Sequence, residues 1–239
     1  MKICSLFSGI GGLELGLEAA GVGKTIWQVE QDAFCRSVLA RHWPEARRFE
    51  DVKEVSGADF PGAGLVCGGY PCQDLSDCHT RKERPGLDGD RSGLWYEFLR
   101  IIEECGPRFA IIENVDGAAR KRWVPVIREG LWRAGYLSAP VRLRASDVGA
   151  PFVGSRVFVI AKANSKSEPV SALYEEVEKL LESAKIVRAD WGQPTSEALG
   201  MAHGFSRGVV KNRLRSLGNA VVPACAAVIG EIINKLKKR

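Results

Sequence analysis

The chain of 239 residues is long enough to bury one substantial core, and its length favours a main domain with a smaller appendage. Hydrophobic residues make up 45% and charged residues 26%, which excludes a disordered, collagen-like or fibrous protein. The net charge of +5 is modest, but basic residues cluster at 81–91, 207–215 and 235–239. Such clusters indicate a polyanionic partner only if nearby chemistry requires one.

No segment reads as a targeting or membrane signal. The first seven residues end too soon, before a glycine turn, to form the apolar part of a signal peptide, and no apolar run approaches the length of a membrane span. Seven irregularly spaced cysteines fit a reducing compartment in which thiols stay free. We therefore expect a cytoplasmic protein without a membrane partner, and a monomer in solution.

Strands alternate with helices along the first two thirds of the chain. The predicted strands are 2–7, 25–29, 65–67, 109–113 and 156–161, and the predicted helices are 13–20, 32–41, 94–104 and a stretch that continues to 134. This alternation predicts an α/β fold with a doubly wound, mostly parallel sheet.

The amino-acid composition changes near residue 163, where a polar stretch with a proline predicts the end of the first domain. Residues 172–183 have helical spacing, 186–218 are irregular, basic and rich in glycine, and 223–235 are helical again. We expect a main domain at 1–162, a small irregular region at 163–216, and a C-terminal segment at 217–239 that packs back on the main domain.

Three predicted strands, those at 2–7 and 25–29 and a further one that ends at Asp51, end in residues that suit a nucleoside, and ligands of open α/β sheets bind outside such carboxyl ends. After the first strand, Gly9 and Gly11 allow close backbone approach, and Phe7 offers an aromatic face to a base. Glu30 can accept hydrogen bonds from both ribose hydroxyls, and Asp51 can accept one from an adenine amino group. The ends together predict a nucleoside pocket.

A nicotinamide dehydrogenase would show similar strand ends. The G-x-G-x-x-G fingerprint fails here, because Glu14 stands at its third glycine and a pyrophosphate would face this carboxylate. An adenosyl ligand without phosphates, such as S-adenosylmethionine, suits the turn better. A tight βα turn with no ligand stays an alternative.

Cys72 lies in a glycine-rich loop after the strand at 65–67. A thiol there becomes a strong nucleophile once its pKa is lowered, and Glu113, at the end of the next predicted strand, can act as its partner acid. Alone, such a cysteine is more often a packing residue, and such a glutamate an ordinary strand-end charge. Cys72, Cys78 and His79 lack a fourth ligand at suitable spacing, so we expect no metal site.

Eight short motifs follow one another in a characteristic order. They are FSGIGG at 7–12, Glu30, Asp51, Pro71-Cys72-Gln73, Ser92-Gly93-Leu94, Glu113-Asn114-Val115, Arg156-Val157-Phe158 and LGNAV at 217–221. The set resembles the C5-specific DNA cytosine methyltransferase family over almost the whole chain except 163 to roughly 204. That short region resembles the compact members found in phages and prophages.

The resemblance implies a Rossmann-like S-adenosylmethionine methyltransferase that modifies double-stranded DNA, as the methyltransferases of restriction–modification systems do. Cys72 would add to C6 of a cytosine flipped out of the duplex, and the methyl group would pass to C5. Glu113 would stabilise the developing charge at N3 and the exocyclic amine. Arg156, which alone survives from the family's Gln-x-Arg-x-Arg string, would contact the cytosine.

The resemblance also assigns binding residues and gives the 163–216 region a role in target recognition. The implied cofactor residues are Phe7, Ser8, Gly9, Ile10, Gly11, Glu30, Asp51, Val52, Gly69, Leu94 and Asn219. The expected DNA contacts are Gln73, Ser76, Arg81, Arg84, Arg207, Lys211, Arg213 and Arg215.

Two other functions stay open. Some family members methylate transfer RNA with the same Pro-Cys-Gln centre, although their additional Cys-Phe-Thr string is not in this sequence. A catalytically silent DNA-binding relative is suggested by Phe152 and Gly154, which replace the first two residues of the arginine string.

Overall fold

The computed structural model describes residues 1–70, 93–117, 120–164, 168–183, 212 and 215–238. Within them, seven strands form one mixed sheet with helices on both faces. The strands are β1 (Lys2–Leu6), β2 (Lys24–Val29), β3 (Arg47–Phe49), β4 (Ala63–Gly68), β5 (Phe109–Val115), β6 (Tyr136–Arg144) and β7 (Ser155–Ala163). The helices are α1 (Gly12–Ala19), α2 (Ala33–His42), α3 (Gly93–Cys105), α4 (Arg120–Arg133), α5 (Val170–Glu182) and α6 (Pro223–Lys237).

The strands lie in the order β3-β2-β1-β4-β5-β7-β6. The first five run parallel, and β7 is inserted antiparallel between β5 and β6. The predicted α/β class with a mostly parallel sheet is confirmed. Because the chain winds outward in one direction from β1 and in the other from β4, the carboxyl ends of these two strands flank the switch point where such sheets bind ligands.

Alternate residues of the central strands point into two separate cores, one on each face of the sheet. Ile3 and Ile111 pack with α1, α5 and α6 on one face, whereas Cys4 and Ile112 pack with α3 and α4 on the other. This period of two is the geometry of an extended strand. It explains why the strands, buried on both faces, appear in the sequence as continuous apolar runs.

Strand β6 was not predicted from the sequence. Pro140 interrupts its apolar pattern, and Arg142 and Arg144 make its second half look like a surface loop. The structure accommodates the proline because β6 lies at the end of the described sheet and has β7 as its one neighbour.

Helix α6 lies unusually close to α1. A Cβ atom added at Gly12 would lie 2.1 Å from the carbonyl oxygen of Val221, and one added at Gly16 would lie 2.1 Å from that of Pro223. Only glycine permits these approaches. The contact holds residues 219–221 beside the glycine turn that follows β1.

By length and composition alone, residues 215–237 would suit a membrane span, so the expectation that no apolar segment approaches this length is wrong. The helix is interrupted at 220–222. Ala226, Ile229 and Ile233 are fully buried against α1 and the sheet, which is how the core helix of a globular domain packs.

Helix α5 belongs to the predicted 163–216 region, but its apolar face enters the same core as α1 and α6. Leu173 and Val177 are buried there. Residues 184–211, which make up most of that region, lie outside the described residues. The division of the chain at 162 and 216 stays a prediction.

Candidate active site

A cavity of about 690 Å³ opens at the carboxyl ends of β1, β2, β4 and β5. Its walls come from the turns that follow these strands and from residues 215–221. This is the ligand-binding edge of an open α/β sheet, and the volume suits a nucleoside-sized ligand.

The turn after β1 is built from left-handed backbone conformations. Phe7 has φ 54°, Gly9 has φ 56° and Gly11 has φ 88°. For a residue with a side chain this conformation costs about 1–2 kcal/mol, and such strain is typical of functional sites. The Phe7 ring is held in place by stacking on Phe98, with centroids 6.2 Å apart.

Glu30 is oriented by two backbone N–H groups. The N–H of Gly9 donates to Oε2 at 2.7 Å, and the N–H of Asp32 donates to Oε1 at 2.8 Å. Each carboxylate oxygen keeps further acceptor capacity. Glu30 is thus a pre-oriented acceptor pair facing the cavity.

Asp51 is fixed in a similar way at the next strand end. Its Oδ1 accepts the N–H of Lys53 at 2.9 Å, which caps the short 3-10 helix Val52–Glu54. Asp51 and Val52 line the cavity together with Glu30. The arrangement offers a carboxylate oxygen and an apolar surface to one ligand.

Glu113, which is buried, and Arg156, which is partly buried, form an ion pair at the cavity. Glu113 pairs with Phe158 in the antiparallel register and Arg156 with Val115, so the two side chains share one face of the sheet. Arg156 Nε lies 3.0 Å from Glu113 Oε1, within ion-pair distance but out of line for a hydrogen bond.

Burial raises the pKa of Glu113 to about 7, although the Arg156 guanidinium acts in the opposite direction. Both the protonated and the ionised carboxyl group are therefore accessible near neutral pH. It can act either as a hydrogen-bond donor or as an acceptor.

The chain leaves β4 directly beside this carboxyl group. A Cβ added at Gly69 would lie 2.4 Å from Glu113 Oε2, so any larger residue there would displace this carboxyl group. The side-chain amide of Asn114 donates to the carbonyl of Tyr70 at 3.2 Å, and the Tyr70 ring packs on Trp95. The start of the segment that carries Cys72 is thus anchored next to Glu113.

The cavity brings together most of the predicted cofactor and catalytic residues. Those that line it are Phe7, Ser8, Gly9, Ile10, Glu30, Asp51, Val52, Gly69, Leu94, Glu113, Arg156 and Asn219. Gly11 does not line it, because it faces Trp43, whose ring lies 2.4 Å from where its Cβ would be. Gly11 therefore contributes to the conformation of the turn on the side that faces Trp43, away from the cavity.

The predicted nucleophile and nearly all predicted DNA contacts lie outside the described residues. They are Cys72, Gln73, Ser76, Arg81, Arg84, Arg207, Lys211 and Arg213. Arg215, expected at DNA, lines the cavity. In the part of the chain that the structure describes, no group of His, Cys, Asp and Glu residues could hold a metal ion; Cys78 and His79 lie outside that part.

Several cavity residues were not predicted as site residues, among them Glu14, Asp32, Tyr70 and Asn114. Asp32 follows Glu30 by two residues and caps α2, a signal that could have been used. Glu14 was noted only as a misfit to the dinucleotide fingerprint. Its burial could not be foreseen, since acidic residues in a first helical turn are usually solvated.

Comparison with known proteins identifies the family. The sequence model described as C-5 cytosine-specific DNA methylase matches residues 1–198. The type II methyltransferase M2.BsuMI of Bacillus subtilis is 34% identical over 168 residues, and M.FnuDI of Fusobacterium nucleatum is 31% identical over 171. Each alignment covers 67% of this chain but only 42% and 46% of the relatives, so the chain spans less than half of their length.

The fold has a solved counterpart. The structure of a protein encoded within an Escherichia coli prophage superposes with a TM-score of 0.70 at 19% identity, covering all of both chains. This likeness confirms the Rossmann-like architecture. The family model, which matches most of the sequence, and the relatives at 30% identity or more establish the kinship: the chain belongs to the C-5 cytosine-specific DNA methylase family.

Proposed function

We propose that the chain is a DNA (cytosine-5)-methyltransferase that uses S-adenosylmethionine and acts on double-stranded DNA. The observation that carries the proposal is a single cavity with a pre-oriented Glu30 carboxylate in one wall and the protonatable Glu113, paired with Arg156, in another. A nucleoside cofactor and a target base can thus meet in one site. Family membership and relatives named as type II methyltransferases support DNA as the substrate.

The residues of the cavity fit the cofactor. Bound there, S-adenosylmethionine supplies an electrophilic methyl group on a sulfonium sulfur. Glu30 accepts hydrogen bonds from the ribose hydroxyls, and Asp51 accepts one from the adenine amino group. Phe7 and Val52 provide apolar surface for the base. Asn219, held at the cavity by the contact between α6 and α1, closes the pocket.

Cys72 is the proposed nucleophile, although it lies outside the described residues. Cys72 follows Tyr70 by two residues in the sequence, and the Tyr70 carbonyl accepts a hydrogen bond from the side-chain amide of Asn114, the neighbour of Glu113. The thiolate adds to C6 of a flipped cytosine, and C5 then takes the methyl group. A water-derived base removes the C5 proton, and elimination releases the thiolate.

Glu113 acts as the acid of this reaction. In its protonated form it donates to N3 of the cytosine and offsets the charge that develops when the thiolate adds. Arg156 orients Glu113 and contacts the base. The DNA contacts proposed for Gln73, Ser76 and the basic clusters, and the 163–216 region as target-recognition region, belong to the same proposal. The proposal also includes a monomeric state, a cytoplasmic location and a role in restriction–modification.

Methyl transfer from labelled S-adenosylmethionine to duplex DNA and to transfer RNA tests the proposal. We expect label in DNA only, and a covalent adduct on DNA that contains 5-fluorocytosine. Cys72→Ala should lose both while keeping cofactor affinity, and Cys105→Ala, a thiol that does not line the cavity, should keep both.

The alternatives give different outcomes in the same assays. Label in transfer RNA alone would indicate an RNA methyltransferase. DNA binding without transfer or adduct would indicate a silent relative. Turnover by Cys72→Ala would overturn the covalent mechanism.

A further inference from the structure

Glu14 is a buried acid that the proposed reaction does not use. It lies in the first turn of α1, is fully buried and lines the cavity. Among the described residues, neither of its carboxyl oxygens accepts a hydrogen bond of good geometry. The hydroxyls of Ser5 and Ser8 lie close enough to favour its ionised form, but the Ser8 hydroxyl donates to Ser5.

No cation stands directly beside this carboxyl group in the described structure. Glu18 approaches it from the same helix, and the Cys67 thiol approaches it from β4; burial and then the charge of Glu14 raise the pKa of this thiol. Where α6 approaches α1 at Gly16, the facing atoms belong to Pro223, Ala226 and Ala227, which carry no charge. Burial raises the pKa of the Cys225 thiol of α6 to about 11, and the charged groups that act on this pKa are Asp147 and Arg156, not Glu14.

The cavity as a whole is acidic. Its other titratable described residues are Glu30, Asp32, Cys35, Glu50, Asp51, Tyr70, Glu113, Arg156 and Arg215. Six carboxyl groups, Glu14 included, therefore face two guanidinium groups. Such a field favours a ligand that carries positive charge.

Burial raises the pKa of Glu14 to about 7, so its protonated and ionised forms are balanced near neutral pH. A positive charge brought into the cavity shifts this balance toward the ionised form. By linkage, the ionised form then binds the charged ligand more tightly than the protonated form does.

We propose that Glu14 is a specificity-determining residue that makes the cavity prefer the sulfonium cofactor to its thioether product. The inference rests on the proposed use of S-adenosylmethionine. Both ligands carry the same ammonium and carboxylate groups, but the cofactor also carries a positive sulfur that S-adenosylhomocysteine lacks, so the cofactor gains more from an ionised carboxyl group in the low-dielectric wall. Glu14 releases its proton to solvent when the cation binds, and takes one up again after the methyl group has left, which favours product release.

The test is the ratio of the two dissociation constants, S-adenosylhomocysteine over S-adenosylmethionine, measured by calorimetry between pH 6 and pH 8. If the sulfonium favours the ionised form about tenfold, the ratio rises about fivefold over this range. In Glu14→Gln this rise should vanish, because at pH 8 the affinity for the sulfonium falls more than the affinity for the thioether does. Glu45→Gln, an exposed carboxylate in an ion pair with Lys24, should behave like the unmodified protein.

Glu113 lines the same cavity and titrates in the same range, so Glu113→Gln is measured in parallel. Ionisation of the ligands themselves is the same for all variants and cancels in their comparison. A pH-dependent ratio that persists in Glu14→Gln but is lost in Glu113→Gln assigns the effect to Glu113 and overturns the inference.

A measurement on the unmodified protein keeps the inference testable if Glu14→Gln does not fold. Binding heats in two buffers of different ionisation enthalpy should show more protons released with the sulfonium ligand than with the thioether. If the two ligands release equal numbers of protons on binding, the inference is overturned while the proposed function stays intact. Failure of both ligands to bind would instead refute the proposed cofactor, and the inference with it.

Discussion

Glu14→Gln should raise the free energy of unfolding, and the gain should grow with pH. In the unfolded chain the carboxyl group titrates at its ordinary pKa of 4.5, whereas burial in the folded protein raises the pKa to about 7. Between these values the folded state binds more protons than the unfolded state, so the free energy of unfolding falls as pH rises. At about 1.4 kcal/mol per pH unit, the loss in the unmodified protein is on the order of 3 kcal/mol.

The glutamine variant has no proton to lose at this position. Its free energy of unfolding should exceed that of the unmodified protein by a small amount at pH 5. The difference should approach the full value, on the order of 3 kcal/mol, at pH 8. Glu113 contributes a similar pH dependence to both proteins and therefore cancels in the difference.

Urea unfolding followed by circular dichroism at pH 5, 6, 7 and 8 measures this difference. Glu45→Gln is the matched control; its exposed carboxylate is ion-paired with Lys24, which lowers its pKa, so its effect should not change over this range. Parallel stability curves for Glu14→Gln and the unmodified protein would refute the assignment of Glu14 as a buried acid that is protonated below neutral pH.

Three further changes test the site and the fold. Glu30→Ala should weaken cofactor affinity at least about tenfold by calorimetry and leave DNA affinity nearly unchanged; the opposite pattern would remove Glu30 from the ribose site. Gly16→Ala should lower the free energy of unfolding by about 1–3 kcal/mol because it drives α6 from α1, whereas Gly93→Ala, where an added Cβ meets none of the described residues, should be nearly neutral. Arg156→Gln should raise the pKa of Glu113 further and move the alkaline fall of kcat to higher pH; an unshifted profile would show that Glu113 is not the titrating acid.

The sequence was most informative about single strands and their ends. Apolar runs followed by glycine or a carboxylate predicted β1, β2, β4 and β5 and the polar residues at their ends. The prediction succeeded because strand periodicity, glycine turns and helix caps are local properties of the chain. Strand β6 failed the same test, since a proline is compatible with an edge strand but not with the pattern of a central one.

Relative position was decided by the tertiary structure. The sequence singled out Glu113 and Arg156 individually, but only the antiparallel insertion of β7 beside β5 makes them an ion pair. Likewise, the sequence marked Glu14 only as a misfit in a glycine motif. It became a buried acid with a raised pKa because α1 packs on the sheet, where Ser5 of β1 and Cys67 of β4 lie near the carboxyl group. Desolvation depends on which distant segments cover a residue, and local sequence does not encode that coverage.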